Sequence, residues 1–233
     1  MKSNSEGLII DGMVAYLDRD NIDTDQIIPT EYLKSIKKFG YEDYLFDGWR
    51  YKDDGKLGVT KEERIIDENF ILNQEPYNKS KILLSRDNFG CGSSREHAVW
   101  ALRDFGIECI IAESFGDIFY NNCFKNGILP IQISQDKKNH VSEHIKENKN
   151  LRVDLTNQFI QLESSEIQFE IEESLKERII LGQDDIDITL GYANQIKQFE
   201  SNRFVSKPVS YTHLRAHETV LAVVCRLLLE KKR

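Results

Sequence analysis

Residues 82–133 read ILLSRDNFGCGSSREHAVWALRDFGIECIIAESFGDIFYNNCFKNGILPIQI, and the order of elements in this stretch decides the fold. Ile82-Leu83-Leu84 is a short apolar run with the look of a buried strand, followed by a glycine-rich turn at Asn88 to Gly92. From Ser94 to Phe105 the apolar residues Ala98, Ala101, Leu102 and Phe105 recur at helical spacing. Ile107 to Ala112 is a second buried strand. Phe115 to Lys125 is a helix stopped by Gly127, and Ile128 to Ile133 is a third strand. Strands that alternate with helices need crossovers, and crossovers place neighbouring strands parallel, so the chain is predicted to be α/β with a βαβαβ centre.

On the N-terminal side, Gly7 to Leu17 is apolar and β-branched enough for another strand. It runs into Asp18 to Asp25 (DRDNIDTD), a run of turn formers closed by Ile27-Ile28-Pro29. Tyr41 to Tyr51 reads as a loop or short helix, and Asp53 to Glu63 as a charged surface excursion. On the C-terminal side, Lys137 to Lys146 is a polar amphipathic helix. Leu151 to Leu155, Phe159 to Leu162 and Ile167 to Ile171 read as antiparallel strands, and Ser174 to Leu181 and Ile188 to Phe199 as helices.

The bulk properties narrow the function. The chain has 233 residues, enough for one sizeable core, with 40% hydrophobic and 30% charged residues. A formal charge of −8 argues against nucleic acid or an anionic membrane as partner, although a local cluster of donors still suits a small anion. No apolar run is long enough to span a bilayer, and MKSNSEGLII has no signal-peptide core. Cys91, Cys109, Cys123 and Cys225 form no C-x-x-C pair, so no zinc or iron–sulfur site built from this chain alone is expected. Reduced thiols and a cytoplasmic location follow from these features.

Composition shifts at the end of the chain. Lys207 to Arg233 holds six Lys/Arg against two Asp/Glu, so a chain of −8 overall is −12 up to Ser206 and +4 beyond it. Two of the five histidines, His213 and His217, lie in this tail with Cys225.

The chemistry concentrates in Asn88-Phe89-Gly90-Cys91-Gly92-Ser93-Ser94-Arg95-Glu96-His97-Ala98. Two glycines allow a tight turn and a close backbone approach to a ligand. The first amides of the helix that follows lack intrahelical partners and carry the positive end of its dipole, which stabilises an anion or an incipient serine alkoxide. Arg95 adds a planar fork of donors matched to a carboxylate. A plainer account is equally compatible with these residues: Ser93 as a helix cap, forming a capping box with Glu96, beside a surface arginine.

Five ordered motifs carry a resemblance to a family. G-C-G-S-S-R-E-H-A at 90–98 is similar to the signature of the swivelling domain of the aconitase superfamily. D-N-I-D-T-D-Q-I-I-P at 20–29 resembles a motif of isopropylmalate dehydratase small subunits, as do Phe46 to Arg50 (FDGWR), Ala112 to Asn122 (AESFGDIFYNN) and Gly182 to Leu190 (GQDDIDITL). Their order and spacing fit across roughly residues 7–204, and the family has no counterpart for the tail.

The resemblance implies an α/β aconitase-type swivelling domain (β/β/α), with a central mixed sheet flanked by helices, over residues 1–206. It implies a hydro-lyase that interconverts 2-isopropylmalate and 3-isopropylmalate through 2-isopropylmaleate in leucine biosynthesis. In that family the chain works with a separate large subunit, which holds a [4Fe–4S] cluster acting as Lewis acid on a small dicarboxylate substrate, and this chain itself binds no metal. Carried over by motif, Ser93 is the base, Ser94 and Arg95 bind substrate carboxylate, and Leu33, on the Thr30 to Lys37 segment with Tyr32 and Ile36, selects the isopropyl group. Asp23 and Asp25 serve either a turn or the site, and His97 is either a packed ring or a donor behind the site. A nucleophilic Cys91 is not expected. Two other readings stand: a related hydratase acting on citraconate/methylmalate or homoaconitate, and a non-enzymatic carboxylate-binding interaction domain. Residues 207–233 are expected to be translated adapter or vector sequence, the rival being an amphipathic helix over Thr219 to Leu229 that docks on the large subunit.

Overall fold

The computed structural model describes residues 8–34, 38–163, 165–183 and 185–206. The chain divides into two compact units, Met1–Asp184 and Asp185–Arg233. The first is organised on one seven-stranded sheet made of β1 (Ile9–Leu17), β2 (Ile82–Ser85), β3 (Cys109–Ala112), β4 (Leu129–Gln132), β5 (Asn150–Asp154), β6 (Phe159–Gln161) and β7 (Glu166–Gln168). The order across the sheet is β4-β3-β2-β1-β5-β6-β7. β1 through β4 are parallel neighbours, with Val14 opposite Ile82, Ile82 opposite Cys109 and Cys109 opposite Leu129. On its other edge β1 pairs antiparallel with β5, and β5–β6–β7 form an antiparallel meander. The sheet is thus mixed, as expected, and β1 is the strand on which the two modes meet.

Helices cover both faces of the parallel half, and the strand residues sort accordingly. Leu83, Ile110 and Ala112 join Ala98, Val99, Ala101 and Leu102 of α3 (Glu96–Phe105) in one core. The alternate residues Ile82, Leu84, Cys109 and Ile111 join Val141 and Ile145 of α5 (Gln135–Glu147) in the other. A strand whose neighbours point alternately into two cores has no solvent face, and this explains the uninterrupted apolar runs in the sequence. Between them α4 (Asp117–Lys125) contributes Phe119 and Cys123 to the first core and Phe124 to the second. The remaining helices of this unit are α1 (Thr24–Ile27), α2 (Asp47–Arg50) and α6 (Glu173–Leu181).

Several elements depart from the sequence-based expectation. The helix expected over Ile188 to Phe199 is two helices of the second unit, α7 (Asp185–Gly191) and α8 (Ala193–Ser206). Gly191, costly inside a helix, stands at the junction. The strand expected over Ile167 to Ile171 ends at Gln168, because beyond it Ile171 N–H bonds the side chain of Gln158 instead of a neighbouring strand. The expected helix start at Ser94 lies at Glu96, with Arg95 as the extended residue before it (φ −128°). The 207–233 tail lies outside the described residues.

Candidate active site

Parallel strands that share a direction end side by side, and open α/β sheets bind ligands beyond those carboxyl ends. Here the ends of β1, β2 and β3 deliver the three motif loops, 18–29, 86–95 and 113–117, to one place. Their backbones are bonded to one another: Asn21 N–H donates to Asp87 O (2.9 Å), Gly90 N–H to Ile22 O (2.7 Å) and Thr24 N–H to Cys91 O (3.0 Å). From the third loop, Gly116 N–H donates to Phe89 O (2.9 Å), and Ser114 accepts from Asn88 N–H while donating to Asp87 (2.5 Å). Two glycines are required sterically. Gly90 has φ +72°, and a Cβ there would fall 2.2 Å from the Phe119 ring; a Cβ on Gly116 would fall 2.6 Å from Gly90 O.

On this scaffold Ser93 and Ser94 are exposed, and Arg95 is half-buried. The Ser93 carbonyl accepts a bond from Thr24 Oγ1 (3.0 Å), which fixes the backbone and leaves the hydroxyl outside. The capping box that the Ser93–Glu96 spacing allows is not formed. No side chain caps α3, and Glu96 instead accepts from Asn126 Nδ2 (2.9 Å). Ser93, in a bend, and Ser94 therefore lie three and two residues ahead of the first residue of α3, at the end of the helix where its first amides lack intrahelical partners.

A capping box exists one loop away. Asp23 accepts from Gln26 N–H (2.7 Å), while Gln26 Oε1 accepts from Asp23 N–H (3.0 Å), opening α1. Asp23 is thus a turn carboxylate. Asp25 differs: it accepts from Thr30 Oγ1 (2.7 Å) and is bonded to Nη1 of Arg95. The Thr30 bond first, and then Arg95, hold the Asp25 carboxyl below its usual range against the opposing effect of partial burial. The chain's own carboxylate therefore sits on the guanidinium that the resemblance assigns to substrate.

The other residues singled out in the sequence fall as follows. His97 packs edge-on to Tyr41 (5.6 Å between ring centres) and against Trp100 (4.6 Å), and burial lowers its pKa, so it is a packed ring. Burial, with Asp23 nearby, pushes the Cys91 thiol up, the wrong direction for a nucleophile. Leu33 lies on the 3-10 turn Thr30–Lys34, partly buried against the first core. Tyr32 offers no apolar surface, being fully buried and stacked on Tyr44 (4.1 Å); Ile36 lies outside the described residues.

Ser93 borders a shallow cleft of about 190 Å³ that also touches Cys91, Asp117 and Ile118, the last 52% exposed. A roomier groove of about 730 Å³, at Glu113, Lys137, Gln158 and Gln168, includes none of the cradle residues. Among the described residues no three of His, Cys, Asp and Glu cluster so as to hold a metal ion, and Cys109 and Cys123 are buried. No helix among the described residues is long and apolar enough to cross a membrane.

Sequence reasoning missed Thr24 and Thr30, whose hydroxyls tie the first loop to Ser93 and Asp25. Their signal was indirect: D-T-D-Q-I-I-P-T follows a strand whose parallel neighbour ends in G-C-G-S-S-R, so topology alone makes the two loops adjacent.

Residues 6–136 match the aconitase C-terminal domain. The chain is 52% identical over 188 residues to a 3-isopropylmalate dehydratase small subunit of Ruthia magnifica, covering 81% of this chain and 91% of the relative. It is 48% identical over 202 residues to one from Dechloromonas aromatica, covering 85% and 95%. Its fold is similar to a crystal structure of 3-isopropylmalate dehydratase from Methanocaldococcus jannaschii, at 28% identity and a TM-score of 0.54 over 84% of this chain and 99% of that one. With this family match and relatives at 48–52% identity, the chain belongs to the 3-isopropylmalate dehydratase small subunits of the aconitase C-terminal domain family.

Proposed function

We propose that this chain is the small subunit of a 3-isopropylmalate dehydratase, in which Ser93 moves the carbon-bound proton and Ser94 and Arg95 bind substrate carboxylate. The observation that carries this is Ser93 itself: its backbone is fixed by Thr24, its hydroxyl faces out beside a helix N-terminus, and Arg95 adjoins it. An ordinary serine hydroxyl is a poor base. Its alkoxide becomes accessible only where donors and dipoles stabilise the oxygen, and the first amides of α3 and the nearby Arg95 guanidinium are the groups of this chain suited to that task.

In this reading Ser93 Oγ, as the alkoxide, takes the carbon-bound proton of 2-isopropylmalate as hydroxide leaves the neighbouring carbon. It returns a proton to the other carbon when 2-isopropylmaleate is rehydrated to 3-isopropylmalate. Arg95 has to share its fork between Asp25 and the substrate, which five N–H donors allow. Departure of hydroxide requires a Lewis acid, and the described residues of this chain do not fit a metal or cluster. We assign the [4Fe–4S] cluster to the large subunit, with the active site completed where the two subunits meet, in the cytoplasm. The functional domain is residues 1–206. We read the tail beyond it, residues 207–233, as translated adapter or vector sequence.

Anaerobic co-expression with a large subunit tests this. The complex is expected to turn over 2-isopropylmalate in preference to 2-methylmalate and homoaconitate, and the chain alone to turn over none and show no iron–sulfur absorbance. Robust turnover by the isolated chain contradicts it.

A further inference from the structure

The Asp53–Glu63 excursion does not simply pass over the surface. The residue that closes it, Arg64, has a side chain only 3% exposed and spends every nitrogen inward. Nη1 donates to Asp47 Oδ1, Nε to Asp53 Oδ2 and Nη2 to Asp53 O, each at 2.7 Å, and the guanidinium lies 4.1 Å over the Tyr51 ring. Asp47 is nearly as buried (9%). The hydroxyl of Tyr32 points into this pair, buried and outside good bonding geometry with either partner. Gly55 closes the arrangement from the excursion: a Cβ there would fall 1.7 Å from Tyr32 Oη, 2.5 Å from Arg64 Nη1 and 2.8 Å from Asp47 Oδ1.

A buried ion pair is a poor stabiliser compared with apolar side chains of the same volume, because desolvation offsets most of its attraction. What it supplies is direction. Here it is directed at Tyr32, the one fully buried residue of the Thr30–Lys34 turn. The same turn carries Leu33, and its first residue, Thr30, bonds Asp25, which bonds Arg95. Arg64 and Asp47 thus enclose the tip of Tyr32, and the turn that carries Tyr32 is joined at Thr30, through Asp25, to Arg95.

We propose that Arg64 is a positioning residue for substrate selection, holding the Thr30–Lys34 turn from behind through Asp47 and the hydroxyl of Tyr32. This rests on the reading above, in which that turn faces the substrate's branched substituent. Arg64 touches no substrate; it sets where Leu33 and Thr30 stand.

Four chains decide it: wild type, Arg64→Lys, Tyr32→Phe, and Arg50→Lys as control. Tyr32→Phe keeps the stack on Tyr44 and removes only the hydroxyl. Arg50 is as buried as Arg64, but its bonds go to Glu42 O, Leu45 O and Asn73 Oδ1. In the assembled complex, Arg64→Lys and Tyr32→Phe are expected to lower the kcat/KM ratio of 2-isopropylmalate to 2-methylmalate about threefold or more, through KM, with kcat within about twofold. In the free chain both are expected to speed amide exchange over residues 30–34 about fivefold or more. Arg50→Lys is expected to do neither. An unchanged ratio overturns the proposal whether or not exchange speeds up, and so does an equal change of ratio in Arg50→Lys. A wild-type complex inert toward 2-isopropylmalate would instead sink the proposed function, and unchanged exchange in the two variants would then overturn the positioning role independently.

Discussion

In the turn from Asn88 to Arg95 the backbone is bonded on both sides while the side chains of Ser93 and Ser94 stand free. In the turn from Thr30 to Lys34 the order is reversed: the Tyr32 side chain is stacked, buried and enclosed by Arg64, Asp47 and Gly55. The first arrangement suits a base, whose hydroxyl must meet substrate without the backbone giving way. The second suits a selecting surface, whose position must be set by something other than the substrate. The contrast makes a prediction about where stability resides. Arg64→Met leaves Asp47 buried and unpaired and is expected to cost about 3–5 kcal/mol in chemical denaturation. Ser93→Ala, at an exposed side chain, is expected to stay within about 0.5 kcal/mol of wild type. Comparable losses would erase the distinction.

A smaller effect probes the selecting turn itself. One or two methylenes in a substrate pocket are worth about 1–3 kcal/mol of discrimination. Leu33→Arg is therefore expected to shift the complex away from 2-isopropylmalate toward a substrate with an extra carboxylate, read as the ratio of kcat/KM values. An unchanged ratio moves the selector off this turn.

The parallel half of the fold was legible because its strands are buried on both faces, and continuous apolar runs bounded by glycines leave few other readings. What failed were local signals overruled by partners far away in sequence. The S-x-x-E spacing at Ser93 promised a cap, but Asn126 claims Glu96 and Thr24 claims the Ser93 carbonyl, thirty and sixty-nine residues distant. The Asp53–Glu63 stretch looked like surface because its charges are dense, and nothing local indicates that Arg64 turns inward. Asp23 and Asp25 are indistinguishable in the motif; only the structure shows that one caps α1 and the other meets Arg95.

Weaker still is the pH dependence from His97. Burial lowers its pKa below the ordinary value of 6.5, so the fold prefers the neutral ring. Its contribution is complete above the unfolded value and is lost as pH falls through the lower folded value. Between pH 7.5 and 5.5 the wild-type urea midpoint should fall more than that of His97→Phe; parallel curves would contradict this. At the end of the scale, truncation after Ser206 is expected to change neither the melting temperature nor the activity of the complex, and a clear loss of either would make the tail a working element.

The most direct measurement is steady-state kinetics of Ser93→Ala in a complex shown to be assembled. The account predicts kcat lower by about 10²–10⁴-fold, the range for losing a positioned general base, with KM nearly unchanged and the melting temperature that of wild type. A near-normal kcat in that complex would contradict it and move the base to another residue.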